Sequence, residues 1–205
     1  MNPWEEISLS DYEKHMGLDS VKQLQAINEM MKMQFEAYPV KTAMVFGIAG
    51  GNGLEHVNQK KYKKIYGIDI NKEYLAAVKE RYSYLNDIME CRRIDLTCES
   101  DLLPEAELVI ANLFIEYVGY EIFKKSIMKS KAKYVSCIIQ INTDDETWVS
   151  DSPYIHAFDS LDSVHHQMEE QELTNAMMDI GYSLIKTDEY SLPNGKKLVM
   201  IDFAR

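Results

Sequence analysis

Ala43-Met44-Val45-Phe46-Gly47-Ile48-Ala49-Gly50-Gly51-Asn52-Gly53 is a short apolar run that breaks into four glycines within seven residues. Val45, Phe46 and Ile48 suit a buried strand. Glycines at its end remove every Cβ where the backbone must turn sharply or a ligand must come close. The following residues, Leu54-Glu55-His56-Val57-Asn58, can start a helix, which would turn the loop amides toward an anionic or hydrogen-bonding ligand at a helix N-terminus. Strand, glycine loop and helix in this order predict a nucleotide-like occupant.

Outward from that loop, Lys64-Ile65-Tyr66-Gly67-Ile68-Asp69-Ile70 reads as a second strand, and Asn71 caps a helix with the apolar stripe Tyr74, Leu75, Val78 and Tyr82. Strand-helix-strand units cross over right-handedly and bring their strand ends to one sheet edge, so Asp69 should arrive beside the glycine loop. A carboxylate offers two acceptor oxygens and no donor, which suits the two hydroxyls of a ribose, and Asp69 follows the loop at the spacing of roughly twenty residues that such a role needs.

Cys91 to Leu96 is a weaker third strand ending in a second acid, Asp95, and Leu108 to Ile115 is the most apolar run of the chain, as a central parallel strand buried on both faces should be. Glu116, Tyr117 and Tyr120 then lead into a helix with Phe123 and Ile127, and Tyr134 to Ile141 is a fifth strand. Residues 142–167 change character: acidic, aromatic and aperiodic, with Trp148, Phe158 and the His165-His166 pair, they read as a substrate insertion at the ligand edge. A helix from Gln167 to Ile180 ends at Gly181. Tyr182 to Leu192 and Lys196 to Phe203 form the last two strands, joined by Pro193-Asn194-Gly195, where Asn-Gly supplies the positive φ angles of a tight hairpin. An antiparallel finish is unusual for a nicotinamide-binding doubly wound domain, which continues with parallel crossovers.

Ahead of the core, residues 1–40 form a helical cap: Ser10 or Asp11 caps a short helix through Met16, and Asp19 caps a longer one whose buried face is Val21, Leu24, Ile27, Met31 and Phe35, stopped at Pro39. Tyr12, His15 and Met16 are placed where a lid over the ligand could be built. With 205 residues, 46% of them apolar and 27% charged, the chain is one domain, 41–205 being the core. A net charge of -11 argues against nucleic acid, and Lys60-Lys61-Tyr62-Lys63-Lys64 reads as a solvated helix end. The acidic N-terminus lacks a signal-peptide layout and no run is long enough to span a membrane, which predicts a cytoplasmic protein without membrane partners. Cys91, Cys98 and Cys137 lack paired metal-ligand spacing and the histidines are scattered, so no metal is expected. A homodimer is open but not indicated.

Together the glycine loop Gly47 to Gly53, the strand Tyr66 to Ile70, Asp95, the run Ile110 to Tyr117 and the closing hairpin resemble a class I S-adenosylmethionine-dependent methyltransferase of the small single-domain kind, over nearly the whole chain. The resemblance implies a three-layer α-β-α sandwich with a mostly parallel, Rossmann-like seven-stranded sheet of order 3-2-1-4-5-7-6. It also implies S-adenosylmethionine as cofactor: Gly47, Ala49, Gly50, Gly51 and Gly53 around its methionine part, Asp69 on the ribose, Ile70 and Leu96 against the adenine, Asp95 on the exocyclic amine, and Asn112 beside the methionine amino group. Gly47 stands where many members carry an acid, so another residue, from the N-terminal helices, would have to supply that grip. No dinucleotide fingerprint fits either register of the loop.

The implied activity is methyl transfer to an oxygen or nitrogen of a small molecule. The alternatives are a non-catalytic S-adenosylmethionine binder and an enzyme acting on a protein. An acceptor hydroxyl or ammonium would use a base, for which Glu116, Tyr117, Tyr12, His15 and the His165-His166 pair are the candidates by position. The Pro-Pro-aromatic run of nucleic-acid amino methylases is missing at Asn112-Leu113-Phe114, as is the strand-four acid of magnesium-assisted catechol chemistry.

Overall fold

Along Thr42–Phe46 (β1) the side chains alternate between two cores, Ala43 and Val45 entering one and Met44 and Phe46 the other. Burial on both faces is the mark of a central parallel strand, and β1 pairs in parallel with Lys64–Asp69 (β2) and Leu108–Asn112 (β4). The computed structural model describes residues 2–142 and 148–205. Its other strands are Met89–Arg93 (β3), Tyr134–Ile141 (β5), Ser183–Ser191 (β6) and Lys197–Ala204 (β7), and the sheet runs β3-β2-β1-β4-β5-β7-β6 with β7 antiparallel to both neighbours. That is the order and polarity the resemblance implies.

Five helices cover the two faces. Leu9–Gly17 (α1), Gln23–Ala37 (α2) and Lys72–Arg81 (α3) pack through Met16, Met30, Phe35, Leu75 and Val78 on the face carrying Val45 and Ile110. Ile115–Ser130 (α4) and Glu170–Asp179 (α5) bury Phe123, Ile127, Leu173 and Met177 on the opposite face with Phe46 and Ile139. A third, small cluster of Ile7, Phe158 and Leu161 joins the N-terminal segment to a 3-10 segment, Ile155–Ser163, above the carboxyl ends of the strands.

Several local expectations are corrected. Ser8, not Ser10 or Asp11, caps α1, its Oγ accepting from Asp11 N at 3.1 Å. The longer helix begins at Gln23 after Lys22 in a left-handed conformation, without an Asp19 cap. Leu54–His56 is one 3-10 turn rather than a helix, so no helix N-terminus backs the glycine loop. β3 stops at Arg93, leaving Asp95 beyond the strand, and α5 starts at Glu170 rather than Gln167. In the last hairpin only Gly195 takes a positive φ, 82°, which makes a three-residue loop in place of a tight Asn-Gly turn. Lys61 does serve a helix end, though not its own: its Nζ donates to Phe35 O at 2.6 Å, at the carbonyl end of α2. The insertion expected at 142–167 holds the Ile155–Ser163 segment, while its residues 143–147 lie outside the described residues.

Candidate active site

The glycine loop leaves β1 through three left-handed residues, Gly47, Ala49 and Gly51, at φ 61°, 46° and 82°. A side chain at Gly47 would meet Phe114: a Cβ built there lies 2.7 Å from Phe114 Cδ2. Ala49 holds its unfavourable φ because its N–H donates to Asp69 Oδ2 at 3.0 Å, while Asp69 Oδ1 accepts from Asn71 N at 2.9 Å. Asp69 is thus the brace of the loop as well as an acid at the sheet edge. It is 9% exposed, and burial pushes its carboxyl up to about 6 in spite of those two N–H donors.

A cavity open to solvent lies over β1, β2 and β4. Gly47, Ala49, Asp69, Ile70, Asp95, Leu96 and Asn112 all line it. Gly50 sits farther along the loop, in an adjoining space shared with Glu13 and Met31. Gly51 and Gly53 line neither space. Their missing Cβ atoms make room for neighbours instead, since a Cβ would come within 2.7 Å of Tyr82 Cε2 and of Met31 Cβ respectively. Asp95 Oδ1 accepts from Thr97 N and Thr97 Oγ1 at 2.9 and 2.6 Å, which pins the carboxylate at the cavity rim. The Asn112 side chain is drawn toward the core: it exchanges two hydrogen bonds of 2.9 Å with the fully buried Gln34 of α2. Gln34 continues to Ser136 Oγ, and Ser136 donates to Asp202 on β7, which also accepts from Tyr38 OH.

Residues unread in the sequence close the cavity. Asn2 and Trp4 line it from the N-terminal segment, with Tyr74, Ile94, Thr97, Phe114 and Val118. Five ties hold that segment down: Glu5 to Arg93 at 2.7 Å, Asn71 Nδ2 to Trp4 O at 3.0 Å, Tyr74 OH to Ile7 O at 2.9 Å, Glu13 to the Arg81 guanidinium, and His15 Nδ1 with Ser152 Oγ at 2.7 Å. Arg81 also reaches Gly50 O at 3.3 Å, so Glu13 and Arg81 together lie against the loop at Gly50. The sequence signal for Trp4 was an aromatic in an otherwise acidic leader, too local a cue to place it 67 residues from its partner Asn71.

Trp4, Tyr12, Leu113 and Tyr117 also wall a second chamber. His15, Met16, Gln23, Glu116, Gln140, Trp148, Phe158 and His165 complete much of its lining, so five of the six candidate bases, all but His166, gather at one place. Leu113, between the two spaces, is left-handed at φ 49°, a strained non-glycine residue at a cavity junction. Glu116 is 4% exposed; Oε1 accepts from Gln140 N at 3.0 Å and burial pushes the carboxyl up to about 7. Burial drives Tyr12 and Tyr117 upward and brings His15 and His165 down to about 4, leaving both imidazoles neutral. The first turn of α4 is broken at Gly119, whose φ is 71° and ψ 167°, and the Glu116 carbonyl accepts instead from His166 N at 2.7 Å. The histidine pair therefore divides: His165 faces the chamber and His166 fastens the helix start.

Solved structures superpose on this architecture over most of the chain. Magnesium protoporphyrin IX methyltransferase from Synechocystis PCC 6803 with bound SAM superposes with a TM-score of 0.66 at 12% identity, over 98% of this chain and 93% of that one. The chain has the class I methyltransferase fold. A geranyl diphosphate methyltransferase in complex with SAM matches at TM-score 0.67 and 14% identity over 88% of this chain and 84% of its own. The [4+2]-cyclase SpnF matches at 0.72 and 7% identity, over 100% and 95%. No protein-family model matches the sequence, and no curated protein matches it. Among the described residues no helix is long and apolar enough to cross a membrane.

Proposed function

We propose that this chain is an S-adenosylmethionine-dependent methyltransferase acting, in the cytoplasm, on an oxygen or nitrogen of a small molecule. The carrying observation is a pair of adjoining chambers over the carboxyl ends of the central strands. One is lined by two acids and an apolar slot, and the other holds the buried acid Glu116. The donor set of the first fits the cofactor. Ile70, Leu96, Phe114 and Val118 offer apolar surface to an adenine, and Asp95 Oδ2 is an acceptor for its amine. Each Asp69 oxygen has given one lone pair to a backbone N–H and keeps another for a ribose hydroxyl. Gly47, Ala49 and Gly50 would face the methionine end.

S-adenosylmethionine supplies a methyl group already activated on a sulfonium, so the protein's task is mainly to hold an acceptor in line. Positioning of that kind supplies roughly 7–11 kcal/mol of a barrier in favourable cases. Trp4, Tyr12 and Tyr117 would orient the acceptor and exclude water from the junction of the chambers, and Glu116 is the group best placed to take a proton.

A [4+2]-cyclase shares the fold, so the fold alone does not dictate methyl transfer, and the alternative is a chain that binds the cofactor without transferring its methyl group. The roof over the second chamber favours a small acceptor over a protein segment. A thermal shift with S-adenosylhomocysteine tests the cofactor site that both readings share: ligand at about 100 times its dissociation constant adds about 2.7 kcal/mol. A shift only with a nicotinamide dinucleotide would overturn the cofactor assignment, and binding without formation of S-adenosylhomocysteine from S-adenosylmethionine across an acceptor panel would favour the non-catalytic reading.

A further inference from the structure

We propose that the second chamber takes an amine: a small molecule with a primary or secondary amino group on a flat apolar body, its nitrogen bound at Glu116 Oε2 and its body seated on the rings of Trp4, Tyr117 and Trp148. This deepens the methyltransferase reading above and rests on it.

Glu116 Oε2 is fully buried and has no hydrogen-bond partner among the described residues. An unmet buried acceptor is destabilising, more so when charged, so a donor brought by a ligand would be favoured at this atom. Oxygen and nitrogen donors could both do so; the surrounding rings favour nitrogen. Trp4 and Tyr117 meet edge to face at 4.7 Å, Tyr117 and Trp148 at 6.2 Å, and Trp148 stacks on His165 at 4.0 Å. Such faces attract an ammonium. Among the described residues no arginine or lysine lines the chamber, and Lys196 beside it gives its Nζ to Trp148 O at 2.7 Å. A carboxylate or phosphate acceptor would meet the Glu116 acid, with Lys196 the nearby cation and its Nζ already turned to the Trp148 carbonyl. Among the described residues, the titratable groups near Glu116 include Tyr117 and Tyr120 on α4, Cys137 on β5, Tyr12 and His15 on α1, and His165 and His166 after the 3-10 segment, none of them a fixed positive charge at neutral pH; Lys196 acts on His15 and His165 from beside the chamber.

In the step this implies, ionised Glu116 takes one proton from the bound ammonium and frees the nitrogen lone pair. The nitrogen bonds to the methyl carbon as the carbon–sulfur bond breaks and leaves its electron pair on sulfur. The product departs as the methylated ammonium, and the proton on Glu116 passes to solvent.

Calorimetry on the protein loaded with S-adenosylhomocysteine tests this with three probes that share one benzyl body: benzylamine, benzyl alcohol and phenylacetate. Benzylamine should bind at least about tenfold more tightly than either of the others. Glu116→Gln should erase that preference while binding S-adenosylhomocysteine as the wild type does, which also reports that it folds. A preference for the alcohol or the acid, equal or absent binding of all three, or an amine preference that survives Glu116→Gln would overturn the proposal. If Glu116→Gln does not fold, the ranking in the wild type decides. Loss of S-adenosylhomocysteine binding by the wild type would instead overturn the methyltransferase reading itself, and the amine proposal with it.

Discussion

Ala49 and Asp69 hold each other in place: an alanine in a left-handed conformation keeps it by donating to an acid buried at the end of the neighbouring strand. Removing the acid should therefore act twice, on the loop and on the ligand. Asp69→Ala is expected to weaken S-adenosylhomocysteine binding at least about tenfold, as the loss of charge-assisted hydrogen bonds worth about 1.5–3 kcal/mol each requires. Calorimetry on the folded variant checks this, and unchanged affinity would remove Asp69 from the site.

The glycines separate into two groups that substitution should tell apart. Gly47→Ala pushes Phe114 into the cavity and should lower both melting temperature and S-adenosylhomocysteine affinity. Gly53→Ala collides with Met31 outside the cavity, so it should cost stability, of order 1–3 kcal/mol, with a much smaller effect on affinity. Equal affinity losses in the two variants would contradict the division.

Glu116 makes stability depend on pH with a definite sign. Its carboxyl ordinarily titrates near 4.5 and is pushed up to about 7 in the fold, so between those values the folded state keeps a proton that the unfolded chain has lost. Stability from this group is present at low pH and falls as pH rises through the window, by about 3 kcal/mol at most. Asp69, raised to about 6, acts in the same direction. Chemical denaturation at pH 5 and pH 8 should show a smaller loss in Glu116→Gln than in the wild type; parallel losses would mean that the buried acid is not the cause.

The N-terminal segment should behave as a lid. Hydrogen exchange of residues 9–17 is expected to slow when S-adenosylhomocysteine binds, and Arg81→Ala should speed it in the free protein. The melting temperature of that variant should hardly move, because a half-exposed ion pair such as Glu13 with Arg81 is worth only about 0.2–1 kcal/mol. Identical exchange with and without ligand would rule out a lid.

Gln34→Leu should destabilise the fold by about 1–3 kcal/mol in urea denaturation, since it strands Asn112 and removes a donor from Ser136. A neutral result would show that water or rearrangement replaces the amide.

The sheet was legible because its signals are local and repeated: an apolar run on each central strand, and a hairpin marked by Pro193-Asn194-Gly195. Asp69 and Asp95 could be placed because crossovers bring strand ends to one edge. What escaped depends on contacts far apart in sequence. The glycine loop reads the same whether a helix or a 3-10 turn follows, and Leu54 and Val57 went to the core where a helix had been expected. Gly51 and Gly53 look like ligand glycines until Tyr82 and Met31 are found against them. Asn112 lines the cavity, and its pairing with Gln34, 78 residues away on a helix whose pattern gave no hint of a polar role, was not legible.

Trp4 and Tyr12 belong to the walls of both chambers. A single displacement of the N-terminal segment therefore opens the two together, and whatever occupies one raises the cost of leaving the other exposed. Occupancy of the two sites is then thermodynamically linked, each ligand tightening its neighbour by the same factor. A compound that props the lid from the acceptor side would retain the cofactor product, and so inhibit by preventing departure rather than by denying entry.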